Sequence, residues 1–251
     1  MAPLDAVALA VDQSAANSLA ETALLNAQYG SRDARWLVKL ATEELFPGKI
    51  ALVSSFGAES AVLLHMIAQV DRSLPVIFLD TGRLFAETLV YRTELAERLG
   101  LTDVRTFQPD PERLAAKDPH RALWMTNPDL CCHIRKTEPL QRALAGFDAW
   151  FTGRKRFQNA TRSELPVFEN DGPRIKVNPL AGWAPAELKA YAVRHGLPEH
   201  PLVAKGYPSI GCVPCTTRVL PGEDARAGRW RGLDKTECGI HVELEIDGSG
   251  I

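Results

Sequence analysis

Five cysteines carry the most chemistry in this chain, and their spacing sorts them. Cys131 and Cys132 are adjacent, Cys212 and Cys215 form a C-x-x-C around Val213-Pro214, and Cys238 stands alone. Adjacent cysteines are poorly placed to bond each other, and clustered thiols in a reducing compartment are better read as metal or redox ligands than as disulfides. Four thiolates from two separated segments suit either a tetrahedral zinc or a four-iron cluster. The adjacent pair favours the cluster, because neighbouring cysteines can ligate different irons of one cubane, whereas zinc sites usually draw on two spaced knuckles. Arg135 and Lys136 follow the pair, where Lys136 is placed to donate to cluster sulfides or to a nearby anion.

The fifth cysteine lies in Glu237-Cys238-Gly239-Ile240-His241. A lone cysteine is more often an inert buried residue. Here Gly239 allows an exposed turn, His241 can help stabilise a thiolate, and the surroundings are polar, so Cys238 is expected to be a nucleophile. Arg226 and Arg229, in the preceding segment, are suited to gripping an anion. Two earlier segments offer anion sites as well. Ser54-Ser55-Phe56-Gly57-Ala58-Glu59-Ser60 places hydroxyls, a glycine and helix-start amides together, and Thr152-Gly153-Arg154-Lys155-Arg156 adds three consecutive cations.

These residues need a frame. Lys49 to Val53, Leu74 to Leu79, Val104 to Phe107 and Ala149 to Phe151 read as short buried strands. Between and after them, Ala58 to Val70, Leu84 to Leu99, Leu130 to Leu144 and Ala186 to Arg194 read as helices, and Ser31 is a candidate cap for a helix through Trp36, Leu37, Leu40 and Leu45. Strands alternating with helices imply an α/β fold, a mostly parallel sheet with helices on both faces. In such sheets ligands sit beyond the carboxyl ends of the strands, which is where Ser54 to Ser60, Asp80-Thr81-Gly82 and Thr152 to Arg156 fall. Residues 1–30 read as an Ala-rich helical extension, and from about Pro198 the chain fills with Gly, Pro and polar residues, as a loop and mobile C-terminal tail would.

Length and composition set bounds. The 251 residues suit one or two domains, and 45% hydrophobic with 24% charged residues is a globular mix. A formal charge of -2 argues against a general nucleic-acid binder. The first thirty residues hold no Lys or Arg, so a cytoplasmic setting is expected, and no apolar run is long enough for a membrane span. Nothing in the residues speaks against a homo-oligomer.

Taken together, Cys131-Cys132 with Arg135-Lys136, the run Tyr207-Pro208-Ser209-Ile210-Gly211-Cys212-Val213-Pro214-Cys215-Thr216, and Glu237-Cys238-Gly239-Ile240-His241 resemble the assimilatory adenylyl-sulfate reductases of bacteria. The resemblance covers roughly residues 30 to 245, and the segment Gly222 to Trp230 shares it; Ile240 stands where that family more often has Leu. It implies an adenine nucleotide alpha hydrolase-like fold of PP-loop type, a 4Fe-4S cluster on Cys131, Cys132, Cys212 and Cys215 that is not itself reduced, and reduction of adenosine 5'-phosphosulfate to sulfite and AMP. It divides the chain into an extension (1–30), a nucleotide-binding reductase domain (31–217) and an active-site tail (218–251). It also implies Ser54, Ser55 and Ser60 near the nucleotide phosphate, Asp80, Thr81 and Gly153 around the adenosine, and Lys136, Arg162, Arg226 and Arg229 on the phosphosulfate. Members specialised for the 3'-phosphorylated substrate generally lack the two cysteine pairs, so the unphosphorylated nucleotide is expected; use of the 3'-phosphorylated one, and a non-catalytic iron-sulfur redox sensor, are the alternatives.

Thiol reduction of an activated sulfate needs one thiol to attack sulfur and another to resolve the S-sulfocysteine. With four cysteines on the cluster, only Cys238 remains, and a separate thioredoxin or glutaredoxin is expected as reductant.

Overall fold

The computed structural model describes residues 19–233 and 235–241. Residues 1–18 of the expected extension and 242–251 of the expected tail lie outside the described residues.

Six short strands form one sheet: β1 (Ile50–Val53), β2 (Val76–Leu79), β3 (Val104–Phe107), β4 (Ala149–Phe151), β5 (Phe168–Asp171) and β6 (Arg174–Val177). Their order is β3-β2-β1-β4-β6-β5, parallel except for β5, which pairs antiparallel with β6 at the edge. The helices are α1 (19–29), α2 (Ala34–Leu40), α3 (Ser60–Val70), α4 (Ala86–Leu99), α5 (Pro111–Lys117), α6 (Leu123–Thr126), α7 (Pro128–Cys132), α8 (Glu138–Ala143) and α9 (Pro185–Arg194).

Side chains alternate across a strand, so neighbouring strand residues enter different cores. Leu52, Phe78 and Phe151 face α2, α3, α4 and α9, while Ala51, Ile77 and Trp150 face α8 through Leu140, Ala143 and Leu144. Covered on both faces, β1, β2 and β4 are apolar throughout, which is why they are legible as continuous hydrophobic runs. The chain steps outward from β1 to β2 to β3 and then returns to the other side of β1 as β4. Strand order therefore reverses between β1 and β4, opening a crevice at their carboxyl ends.

Several local expectations are corrected. Asp33, not Ser31, caps α2: its carboxylate accepts from the backbone N–H of Arg35 at 3.1 Å and of Trp36 at 3.0 Å. A carboxylate also suits the positive end of a helix better than a hydroxyl does. The helix expected over Leu130 to Leu144 is broken by a wider π turn at His133–Thr137 between α7 and α8. Residues 198–241 hold only short turns, as read, yet they pack closely. A side chain at Gly228 would place its Cβ 2.1 Å from the Thr217 carbonyl, so this crossing of the tail admits only glycine.

Candidate active site

The crevice is a cavity of about 280 Å³ lined by residues after β1, β2 and β4, by residues 208–212, and by the tail. The turn after β1 is built under strain. Ser54 Oγ accepts from Phe56 N–H at 3.2 Å, and Phe56 has a left-handed φ of 48° while fully buried edge-on against Phe78. That packing holds a conformation that a non-glycine residue seldom adopts, and strain of this kind collects at functional turns. Ser54, Ser55 and Ser60 consequently line the cavity, with Ser60 opening α3.

All three consecutive cations after β4 already have partners on the scaffold. Arg154 pairs with Glu169 of β5, and Lys155 Nζ lies 2.6 Å from Glu59 Oε2. Arg156 donates to the Leu165 carbonyl at 2.9 Å. The run expected to suit an anion is thus tied to the scaffold, while Gly153, Arg154 and Lys155 all line the cavity.

The four paired cysteines come together from two segments about eighty residues apart in sequence. Cys131, Cys132, Cys212 and Cys215 line a second, smaller cavity with Arg83, Arg135, Lys136 and Trp230. Asp118 fixes this side: Arg135 donates to it at 2.8 Å and to the Thr81 carbonyl at 2.9 Å, and Arg83 lies 3.6 Å from the same carboxylate. On the other side, Val213 N–H donates to the Arg83 carbonyl at 2.8 Å. Thr81 Oγ1 accepts from Arg83 N–H at 3.3 Å and lies 3.2 Å from Cys212 Sγ, within hydrogen-bond reach. Thr81, expected around the adenosine, thus touches a cysteine sulfur while also lining the main cavity. Asp80 does not line it; its carboxylate accepts from Gly82 N–H and Gln108 Nε2, both at 2.9 Å.

Lys136, Cys212 and Trp230 line both cavities. Burial works against a charge on Lys136, but the sulfurs of Cys238, Cys212 and Cys132 outweigh it and hold the ammonium above the ordinary lysine range. Arg229 stacks on Trp230 with its guanidinium carbon 4.4 Å from the ring centre, and its Nε has no hydrogen-bond partner among the described residues. Burial lowers Arg229 and Arg226, the latter to about 10, with Arg162 adding repulsion at Arg226. At about 10, Arg226 stays charged at neutral pH.

The tail closes this space. Ile240 packs on the Ala51, Ile77 and Trp150 core, Lys235 pairs with Asp129 of α7, and Cys238, half-buried, faces Cys132 and Lys136. Cys238 is held low by a hydrogen bond from Cys132, then by the Lys136 charge and the Ile240 N–H, all against burial. Cys132 can give that hydrogen bond only as a thiol, so were it a metal ligand the Lys136 charge and the Ile240 N–H would remain to hold the thiolate. His241 lies parallel to Trp150, with centroids 5.9 Å apart, and burial plus the charges of Arg154, Arg162, Lys176 and Lys136 push it well below the usual histidine range. A neutral imidazole cannot balance a thiolate by charge, so the cation beside Cys238 is Lys136 rather than His241. Arg162 sits across the cavity in a bidentate pair with Glu237. Glu237 and Trp230 were not singled out by sequence reasoning; the only signal was their adjacency to Cys238 and Arg229.

A parallel α/β sheet with a ligand crevice at its switch point, lined by cations and a thiolate, defines a nucleotide-binding protein equipped for thiol chemistry. The sequence pattern of the phosphoadenosine phosphosulfate reductase domain matches residues 49–218, and the chain belongs to that family. It is 55% identical to the adenosine 5'-phosphosulfate reductase of Mesorhizobium japonicum over 97% of this chain and 95% of that one. With the enzyme of the same name from Chelativorans sp. it shares 56% identity over 87% and 89% of the two chains. Among solved structures, the phosphoadenylyl-sulfate reductase of Candida auris in a phosphate complex aligns with TM-score 0.67 and 30% identity, covering 78% of this chain and 96% of that one. The FMN adenylyltransferase of Candida glabrata, at 16% identity and TM-score 0.53 over 82% and 74% of the two chains, shares the fold alone. No helix among the described residues is long and apolar enough to cross a membrane.

Proposed function

We propose that this chain reduces adenosine 5'-phosphosulfate to sulfite and AMP, with Cys238 as nucleophile. The observation that carries the reading is one cavity wall shared by Cys238, Lys136, Arg162, Arg226 and Arg229 with the Ser54 to Ser60 turn. The identity of more than half to curated adenosine 5'-phosphosulfate reductases, over nearly the whole chain, supports the unphosphorylated nucleotide over its 3'-phosphate.

In this reading the nucleotide lies along the β1 and β4 ends, its phosphate at Ser54, Ser55 and Ser60. Arg162, Arg226, Arg229 and Lys136 hold the phosphosulfate, offsetting its charge and that developing on the leaving phosphate. The Cys238 thiolate attacks sulfur, forming an S–S bond as the S–O bond to the phosphate breaks, and AMP leaves with the electron pair. A thiol of a separate reductant, thioredoxin or glutaredoxin, then attacks Cys238 Sγ and expels sulfite; its second thiol resolves the mixed disulfide, so two thiols are oxidised as one sulfate is reduced. A reducing cytoplasm suits this scheme.

The paired cysteines fit a 4Fe-4S cluster. All four line one cavity, and a donor set of four thiolates from two segments, with two of them adjacent, is chemically suited to a multi-iron unit. Cys131, Cys132, Cys212 and Cys215 would hold it, and it would supply charge beside Lys136 and tie α7 to residues 212–215. The test is sulfite release from each nucleotide with reduced thioredoxin. Cys238→Ser is expected to abolish release while keeping full iron and sulfide content, whereas Cys212→Ser loses the iron. Retained activity in Cys238→Ser, or a strong preference for the 3'-phosphorylated nucleotide, would overturn the reading.

A further inference from the structure

Glu237 stands next to the nucleophile, and its carboxylate is engaged by the residues assigned above to the substrate. Arg162 Nε lies 2.5 Å from Oε1 and Nη2 2.6 Å from Oε2, Asn159 Nδ2 donates to Oε1 at 2.6 Å, and Arg226 Nη2 is 3.8 Å from Oε2. A guanidinium fork against two oxygens is the geometry by which arginine also takes a phosphate or sulfate. The neighbouring cations differ in one respect. Arg154 and Lys155 have carboxylate partners on the sheet and at the start of α3, whereas Arg162 and Arg226 take theirs from the segment that bears Cys238. Glu237 is 10% exposed and lines the main cavity together with both arginines.

We infer that Glu237 is a resident stand-in for the substrate's anion: it neutralises Arg162 and Arg226 in the empty site and yields them to the entering nucleotide. The inference rests on the proposed reading of those arginines as anion holders. Two largely buried guanidinium groups without a counter-ion repel each other and lose hydration, so a tethered carboxylate keeps the empty site closed. Substrate must then expel Glu237, and the carboxylate competes with AMP for the same fork once sulfur has been transferred. The device trades some affinity for product release.

The experiment is calorimetric titration of AMP into the full chain and into Glu237→Gln, Arg162→Gln and the double variant. Removing the competing charge is expected to tighten AMP by about tenfold, the worth of one charge-assisted hydrogen bond. The KM for adenosine 5'-phosphosulfate should fall in parallel, and AMP should inhibit turnover more strongly. In the Arg162→Gln background the Glu237→Gln effect should shrink to within about twofold, because the two residues act on one fork. A gain in affinity cannot come from a misfolded chain. Equal AMP affinity in the parent and Glu237→Gln, with Arg162→Gln still weakened, would overturn the inference and leave the anion reading standing. If Arg162→Gln binds AMP as the parent does, the anion reading falls, and the inference with it.

Discussion

Lys136 joins two groups of side chains because it lines both cavities, with cysteine sulfurs on one side and Arg162, Arg226 and Arg229 on the other. The cysteine spacing made both groups legible in the sequence, since a residue's type and its neighbours along the chain are enough to suggest a thiolate ligand or a nucleophile. Partners distant in sequence were not legible. Nothing local says that Asp80 serves Gln108, that Thr81 reaches Cys212, or that Glu237 meets Arg162 across the cavity. His200 was equally silent. It is fully buried, accepts from Leu202 N–H at Nδ1 and so carries its proton on Nε2, 3.1 Å from Thr88 Oγ1. Burial lowers its pKa from 6.5 to about 4, against a small opposing pull from Glu87. Below pH 6.5 the unfolded chain therefore binds a proton that the folded chain refuses, and stability falls as pH drops through that window. Urea unfolding at pH 7 and pH 5 should show His200→Gln losing less stability between the two than the parent; an equal loss would mean that His200 does not titrate this way.

At the level of elements, the strands buried on both faces were legible because their apolar runs have no other place to go. The β5–β6 hairpin was missed for the opposite reason. It lies at the sheet edge, and its residues Glu169, Asn170, Asp171, Arg174 and Lys176 form no apolar run; Lys176 pairs with Asp171, and Glu169 with Arg154. Pairing in three dimensions, rather than hydrophobic periodicity, makes these residues strands. The π turn after α7 is similar, since Cys132 and Lys136 carry no sequence mark of a wider turn. The element whose loss should be felt most is β4. Trp150 is 1% exposed, fills the core under α8, donates to Asp171 at 2.7 Å and supports the His241 ring. Trp150→Ala should cost about 3–5 kcal/mol in urea unfolding followed by circular dichroism. A cost under about 1 kcal/mol would show that the tail and α8 collapse to refill the space.

Across the whole molecule, the switch point of the sheet supplies a crevice, the cysteine-lined cavity braces one side of it, and the tail carries Cys238 over the top. The tail read from the sequence as loop and mobile is closed here, latched by Lys235 on Asp129, Glu237 on Arg162 and Ile240 in the core. In the proposed reaction Cys238 meets both a buried nucleotide and an outside reductant, which would require this segment to open and close between steps. The central claim is that sulfur passes through Cys238, and intact and peptide mass spectrometry after incubation with adenosine 5'-phosphosulfate, without reductant, tests it most directly. The account predicts one added SO3 group on Cys238, removed by reduced thioredoxin; no adduct, or an adduct on Cys131, would contradict it.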